Sequence, residues 1–144
     1  MTRKSNHYLP ITGALCILSL AMLFSLRGPL NQSIANFQPD KLLVLLYGFL
    51  AKPLFVFCLS TVIAIAILKR RNYQIKTAAA RVIRIILYAA LAAYLLIIIS
   101  WLGGLFAGTT AYITPFKVID SGIPFIAAGV LSAALSASGK RSEV

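Results

Sequence analysis

Three stretches of this chain run on without charge for the length of a membrane crossing, or with a single charge inside. Tyr8 to Leu26 carries none, Leu42 to Leu68 carries only Lys52, and Ile85 to Phe116 carries none. A helix needs about 20 apolar residues to cross a hydrocarbon core. In lipid every backbone N–H and C=O must be paired internally, so such runs fold as helices. Composition agrees: 60% of residues are hydrophobic and 12% charged, against about 45–50% and about 25% in soluble domains. So few charges cannot cover so much apolar surface. The sequence therefore predicts an all-α integral membrane protein, a single membrane domain over residues 1–144.

Punctuation divides the chain. The first helix is expected over 8–26, after Arg3 and Lys4. Its apolar run is long, and "LFSLRGPL" lacks a small-x-small cleavage site, so it reads as an uncleaved helix rather than a signal peptide. "RGPLNQSIANFQPD", Arg27 to Asp40, reads as a polar loop. The second helix is expected over 41–68, with Asp40 as N-cap and "KRR" as its stop. A basic linker over 69–81 leads to a third helix over 82–104, with Tyr88 inside it and Trp101 near its far end. The last apolar piece, "IPFIAAGVLSAALSASG", is short. Extended back to Thr114 it gives a fourth helix over 114–138 that includes Lys117 and Asp120.

Net charge is +11, from 14 basic and 3 acidic residues. In a soluble chain that would suggest nucleic acid. Here the cations flank apolar runs, which is an orientation signal. With four crossings, Arg3, Lys4, Lys69, Arg70, Arg71, Lys76, Arg81, Arg84, Lys140 and Arg141 share one side. Both termini and the linker are then expected in the cytoplasm, with Lys69, Arg70, Arg71, Arg81 and Arg84 meeting anionic lipid headgroups. A re-entrant hairpin over 103–138 would put Lys140 and Arg141 on the opposite side. Short loops and a clear charge bias point to a bacterial cytoplasmic (inner) membrane.

Chemistry is sparse. The chain has one histidine, His7, in its N-terminal tail, and two cysteines, Cys16 and Cys58, with no C-x-x-C. That is too few ligands for a bis-histidine haem or a zinc cluster. No Gly-rich phosphate loop is present. His7 is expected on the cytoplasmic side and the membrane-proximal acids Asp40 and Asp120 on the other, so base and orienting acid do not meet at a nucleophile. The reading is a protein that is not an enzyme and holds no cofactor or metal.

The segment "LYGFLAKPLFVF" places Lys52 and Pro53 in an apolar run. About 20 residues back from the Leu68 exit sets the far boundary near Phe49, so Lys52 lies about 5 Å inside it. The same count from Ala137 sets the boundary of the fourth helix near Val118. Lys52 and Asp120 then share a depth. Lys52 either snorkels to water or pairs with Asp120, with Lys117 competing three residues away. Pro53 removes one helical hydrogen bond and predicts a kink.

Small residues recur four apart on the fourth helix, as Ala128, Ser132 and Ser136 and as Gly129, Ala133 and Ala137. Such rows let membrane helices approach closely. Ala89 and Ala93 repeat the theme on the third helix, and Ser60 and Ala64 on the second. Together these features suggest a small non-catalytic polytopic protein that serves as an accessory or structural subunit of a larger membrane complex. A homo-oligomeric transporter or channel lined by Lys52, Asp120, Ser60 and Thr61, suited to an anion, is the alternative. A membrane-acting immunity or lysis protein is a third.

Overall fold

The computed structural model describes residues 5–37, 40–71, 75–104 and 113–137. All regular structure among them is helical: α1 (Ser5–Ala35), α2 (Lys41–Arg70), α3 (Thr77–Leu102), α4 (Ile113–Asp120) and α5 (Ile123–Ser136). Among the described residues three helices, α1, α2 and α3, are long and apolar enough to cross a membrane. At 1.5 Å per residue each spans about 39 Å or more, against about 30 Å of hydrocarbon. The expected end of the last helix at 138, linker residues 72–74, the stretch 105–112 and the tail cations Lys140 and Arg141 lie outside the described residues.

α1 runs past its expected end at residue 26 and continues to Ala35, so most of the stretch read as a loop is helix. Pro29 withholds the amide that an α-helix aims at the Ser25 carbonyl. One lost bond does not end the helix, because Leu30 beyond it is buried and this part of α1 packs along the start of α2. Tertiary contact outweighs the local Gly-Pro signal. Arg27, Asn31 and Gln32 stay exposed. Phe37, in left-handed conformation at φ 56°, closes the helix.

α2 begins as the sequence indicates. Asp40 accepts the Leu42 amide at 2.9 Å, which satisfies one of the orphan donors of a helix start. α3 begins at Thr77, five residues before its expected start, so the Thr77–Arg81 end of the basic linker is helical. "TAAAR" has high helix propensity and nothing in it stops the helix.

The fourth helix is two helices. α4 ends at Asp120 and α5 starts at Ile123. Gly122 takes φ 72°, a left-handed conformation open to glycine and poor for other residues. Its amide donates to the Ile119 carbonyl at 3.1 Å and its carbonyl accepts the Phe125 and Ile126 amides, both at 3.1 Å. Pro124 follows in the first turn of α5, where its missing N–H is not needed. "DSGIP" thus stops one helix and starts the next.

α2 is the centre of the bundle. α5 packs along one side and α1 along another, while α3 meets mainly α5. Ala51, Cys58 and Ile65, seven residues apart, are buried on α2, with Pro53, Thr61 and Ala64. Most are small, so neighbouring backbones come close. The tightest approach is at Gly129 of α5. A Cβ there would overlap the Ser60 hydroxyl and come within 2.7 Å of the Phe57 carbonyl and 3.0 Å of Thr61 Oγ1. Ala133, one turn on, is fully buried beside Ala64 and Ile65. Lipid gives little hydrophobic drive between helices, so this fit of small faces carries the association.

Serine and threonine hydroxyls in the bundle bond mainly to carbonyls of their own helix, with Ser60 also reaching the Phe125 carbonyl of α5 at 3.5 Å. Ser19 donates to the Cys16 carbonyl at 2.9 Å, and Ser60 and Thr61 both donate to the Phe57 carbonyl, at 2.9 and 2.7 Å. This back-bonding suits lipid, where an unpaired polar group is costly.

Gly129→Ala is expected to lower stability in mild detergent by about 1–3 kcal/mol, the usual range for overpacking, with Gly129→Leu worse. Gly13→Ala is the control, since a Cβ there meets nothing within 4 Å. Thermal unfolding reads both. Equal stability of the Gly129→Ala and Gly13→Ala proteins contradicts the close crossing.

Candidate functional site

The residues that stand out chemically gather where α2 changes helix type. Lys41–Val44 is α-helical, Leu45–Ala51 is a π-helix and Lys52–Arg70 is α-helical again. The Lys52 amide donates to the Tyr47 carbonyl, five residues back, the π pattern. Pro53 explains why the wide turn lies here. A proline ring clashes with the carbonyl four residues earlier and offers it no N–H. That carbonyl belongs to Phe49, inside the π stretch. The residue expected to mark a kink, Pro53, directly follows this widened run.

A neighbouring helix supplies a donor. The Tyr94 hydroxyl of α3 donates to the Phe49 carbonyl. The Phe49 ring packs on Trp101, also of α3, with centroids 5.2 Å apart and planes inclined 45°. Tyr94 in turn meets Phe125, in the first turn of α5, edge to face at 5.3 Å. Such tilted geometries suit aromatic quadrupoles and add about 0.5–1.5 kcal/mol per pair beyond burial. α3 therefore reaches α2 and α5 here through aromatic side chains.

Lys52 sits on the first turn after the π stretch. Its Nζ donates to Asp120 Oδ1, at the last residue of α4. Measured along α2, about 26 Å of helix separates Lys52 from Lys69. The pair therefore lies towards the end of the bundle away from "KRR". Its side chains are 44% and 75% exposed, so the ammonium has both a counter-ion and an open side. An intramembrane lysine left alone costs about 2.5–3.5 kcal/mol at the bilayer centre and less near an interface. Lys117 makes no ion pair among the described residues.

The remaining singled-out residues fall elsewhere. Gly129 and Ala133 lie buried in the α2–α5 contact, and Ala128, Ser132 and Ser136 flank it half-buried. Thr61 is buried in the same contact, and Ser60 is half-buried beside it. Lys69, Arg70, Arg71, Arg81 and Arg84 are exposed around the α2–α3 connection, far from Lys52. Cys16 and Cys58 are both free thiols. Among the described residues no three His, Cys, Asp or Glu side chains lie together as metal ligands would.

Sequence reasoning missed Tyr94 and Phe125. A signal for half of this was present, because Pro53 marks the Phe49 carbonyl as one that needs a donor other than residue 53. Nothing in one sequence says which helix provides it. Comparison with protein-family models, characterised proteins and solved structures gives no match to this chain.

Lys52→Met and Asp120→Asn are each expected to lower stability, and the double variant to lose less than the sum, by roughly 1 kcal/mol for a part-exposed pair. Thermal unfolding in detergent measures all three. Strict additivity counts against the ion pair.

Proposed function

We propose that this chain is a non-catalytic subunit that packs against other protein in a larger membrane complex. α3 carries the proposal. It is the most apolar of the long helices, yet its one buried residue is Ala80. Ile85, Tyr88, Leu91, Leu96 and Ile99 are all more than half exposed. Lipid alone can cover such a face, but so can a partner. The small-residue face of α5 is taken up by α2 within the chain, and of the two long helices with open apolar faces, α1 and α3, α3 is the more apolar. Anionic headgroups are the proposed contact of Arg81 and Arg84 at its basic start.

The topology proposed with this reading has four crossings and places both termini and the basic connection in the cytoplasm of a bacterium. α5 alone, 14 residues, reaches only about 21 Å. The fourth crossing therefore uses α4 and α5 as one broken helix, with Gly122 at the break. Positive charge on the connection and tail supports this side assignment.

A transport role keeps one feature in its favour, since broken membrane helices sometimes border substrate sites. Its proposed lining is less suitable. Thr61 is buried with its hydroxyl bonded to Phe57, and Asp120 balances the charge on Lys52. The immunity or lysis reading has no feature of its own.

Gentle detergent extraction followed by mass measurement separates these readings. Stoichiometric co-purifying membrane proteins are expected, lost when Leu91 and Leu95 are changed to alanine. A clean homo-oligomer that passes anions in liposomes contradicts the subunit reading. For topology, cysteines at Asn36, Arg71 and Ala137 are expected to react differently with an impermeant maleimide in intact cells. Asn36→Cys should label while the other two stay protected. Labelling at Ala137→Cys supports the re-entrant hairpin.

A further inference from the structure

π-helix usually appears as a single-turn bulge, yet here it extends over Leu45–Ala51 between two α-helical segments. Pro53 rules out one α-type bond, to the Phe49 carbonyl. It does not by itself require a run that reaches back to Leu45. Gly48, in the middle of the run, is not demanded by packing, because a Cβ there meets nothing within 4 Å. What it provides is backbone freedom. α1 packs along this run, and from α3 the Tyr94 hydroxyl donates to its Phe49 carbonyl. A carbonyl has two lone pairs, so it can take this donor together with another.

We propose that Tyr94 is a latch that fixes the helical register of α2. With its hydroxyl on Phe49, the π run extends to Leu45. With the hydroxyl withdrawn, the run shortens, and the Lys41–Val44 turn rotates by one residue, about 100°. The latch also has an input. The Tyr94 ring rests edge-on against Phe125 in the first turn of α5, just after the Gly122 break, and Asp120 before that break holds Lys52 at the π–α junction. A tilt of α5 at the break moves Phe125, displaces Tyr94 and turns the Lys41 end of α2. The pieces form one conformational device that couples the broken helix to the far end of the central helix.

The test uses the full chain with Cys16 and Cys58 replaced by alanine, in phosphatidylethanolamine–phosphatidylglycerol vesicles. Nitroxides are scanned singly through positions 41–46 and, as a control window, through 59–66, and oxygen accessibility is recorded at each. Tyr94→Phe keeps the ring against Phe125 and removes only the hydroxyl. The expected result is a phase shift of one residue over 41–46 with 59–66 unchanged. An unchanged pattern over 41–46, or equal disturbance of both windows, overturns the proposal. Pro53→Ala restores the residue-53 amide and is expected to give the shifted phase whether residue 94 is Tyr or Phe. A Pro53→Ala protein that still responds to Tyr94→Phe also overturns it.

Discussion

The rest of this structure depends on one backbone approach, that of Gly129 of α5 to the Phe57–Thr61 turn of α2. There the Gly129 backbone faces the Phe57 carbonyl and the small Ser60 and Thr61 hydroxyls directly. The gain comes from dispersion between closely fitted surfaces, because both helices are as apolar as the lipid around them. It requires a glycine on one side and serine and threonine on the other, with their hydroxyls turned back onto the Phe57 carbonyl. Once α5 lies there, its start is fixed. Phe125 then stands beside Tyr94, and the break at Gly122 brings Asp120 over Lys52.

The features around Lys52 follow from that arrangement and from one proline. Pro53 disturbs α2 at the place where three helices converge. The disturbance is taken up by a π stretch, and the Phe49 carbonyl receives a hydroxyl from α3. Polar and aromatic groups therefore collect at this level of the bundle. A lysine, a carboxylate and a tyrosine in one region invite a chemical reading. Here each has a structural partner, which directs attention to packing and movement.

Long apolar runs made the membrane character and the three long helices legible, because lipid allows the backbone few alternatives. Asp40 and "KRR" marked the limits of α2 for local reasons, a cap and a charge stop. What could not be read depended on distant contacts. Arg27 to Ala35 looked like a loop because Gly28 and Pro29 disfavour helix locally, while the burial of Leu30 that favours helix depends on packing against another element. "DSGIP" did carry its own stop-and-start signal, but the shortness of the last apolar run favoured reading through it. The depth count placed Lys52 level with Asp120, yet π register and the Tyr94 contact need the third helix in place.

The central claim is that α5's small face is occupied by α2 of the same chain, leaving α3 outward. Paired cysteines at Ala64 and Ala133, neighbours in the core, test it most directly when Cys16 and Cys58 are first replaced by alanine. Oxidation in native membranes is predicted to give a bond within one chain, migrating as a monomer under denaturing, non-reducing conditions. A cross-linked dimer as the main product would contradict the account.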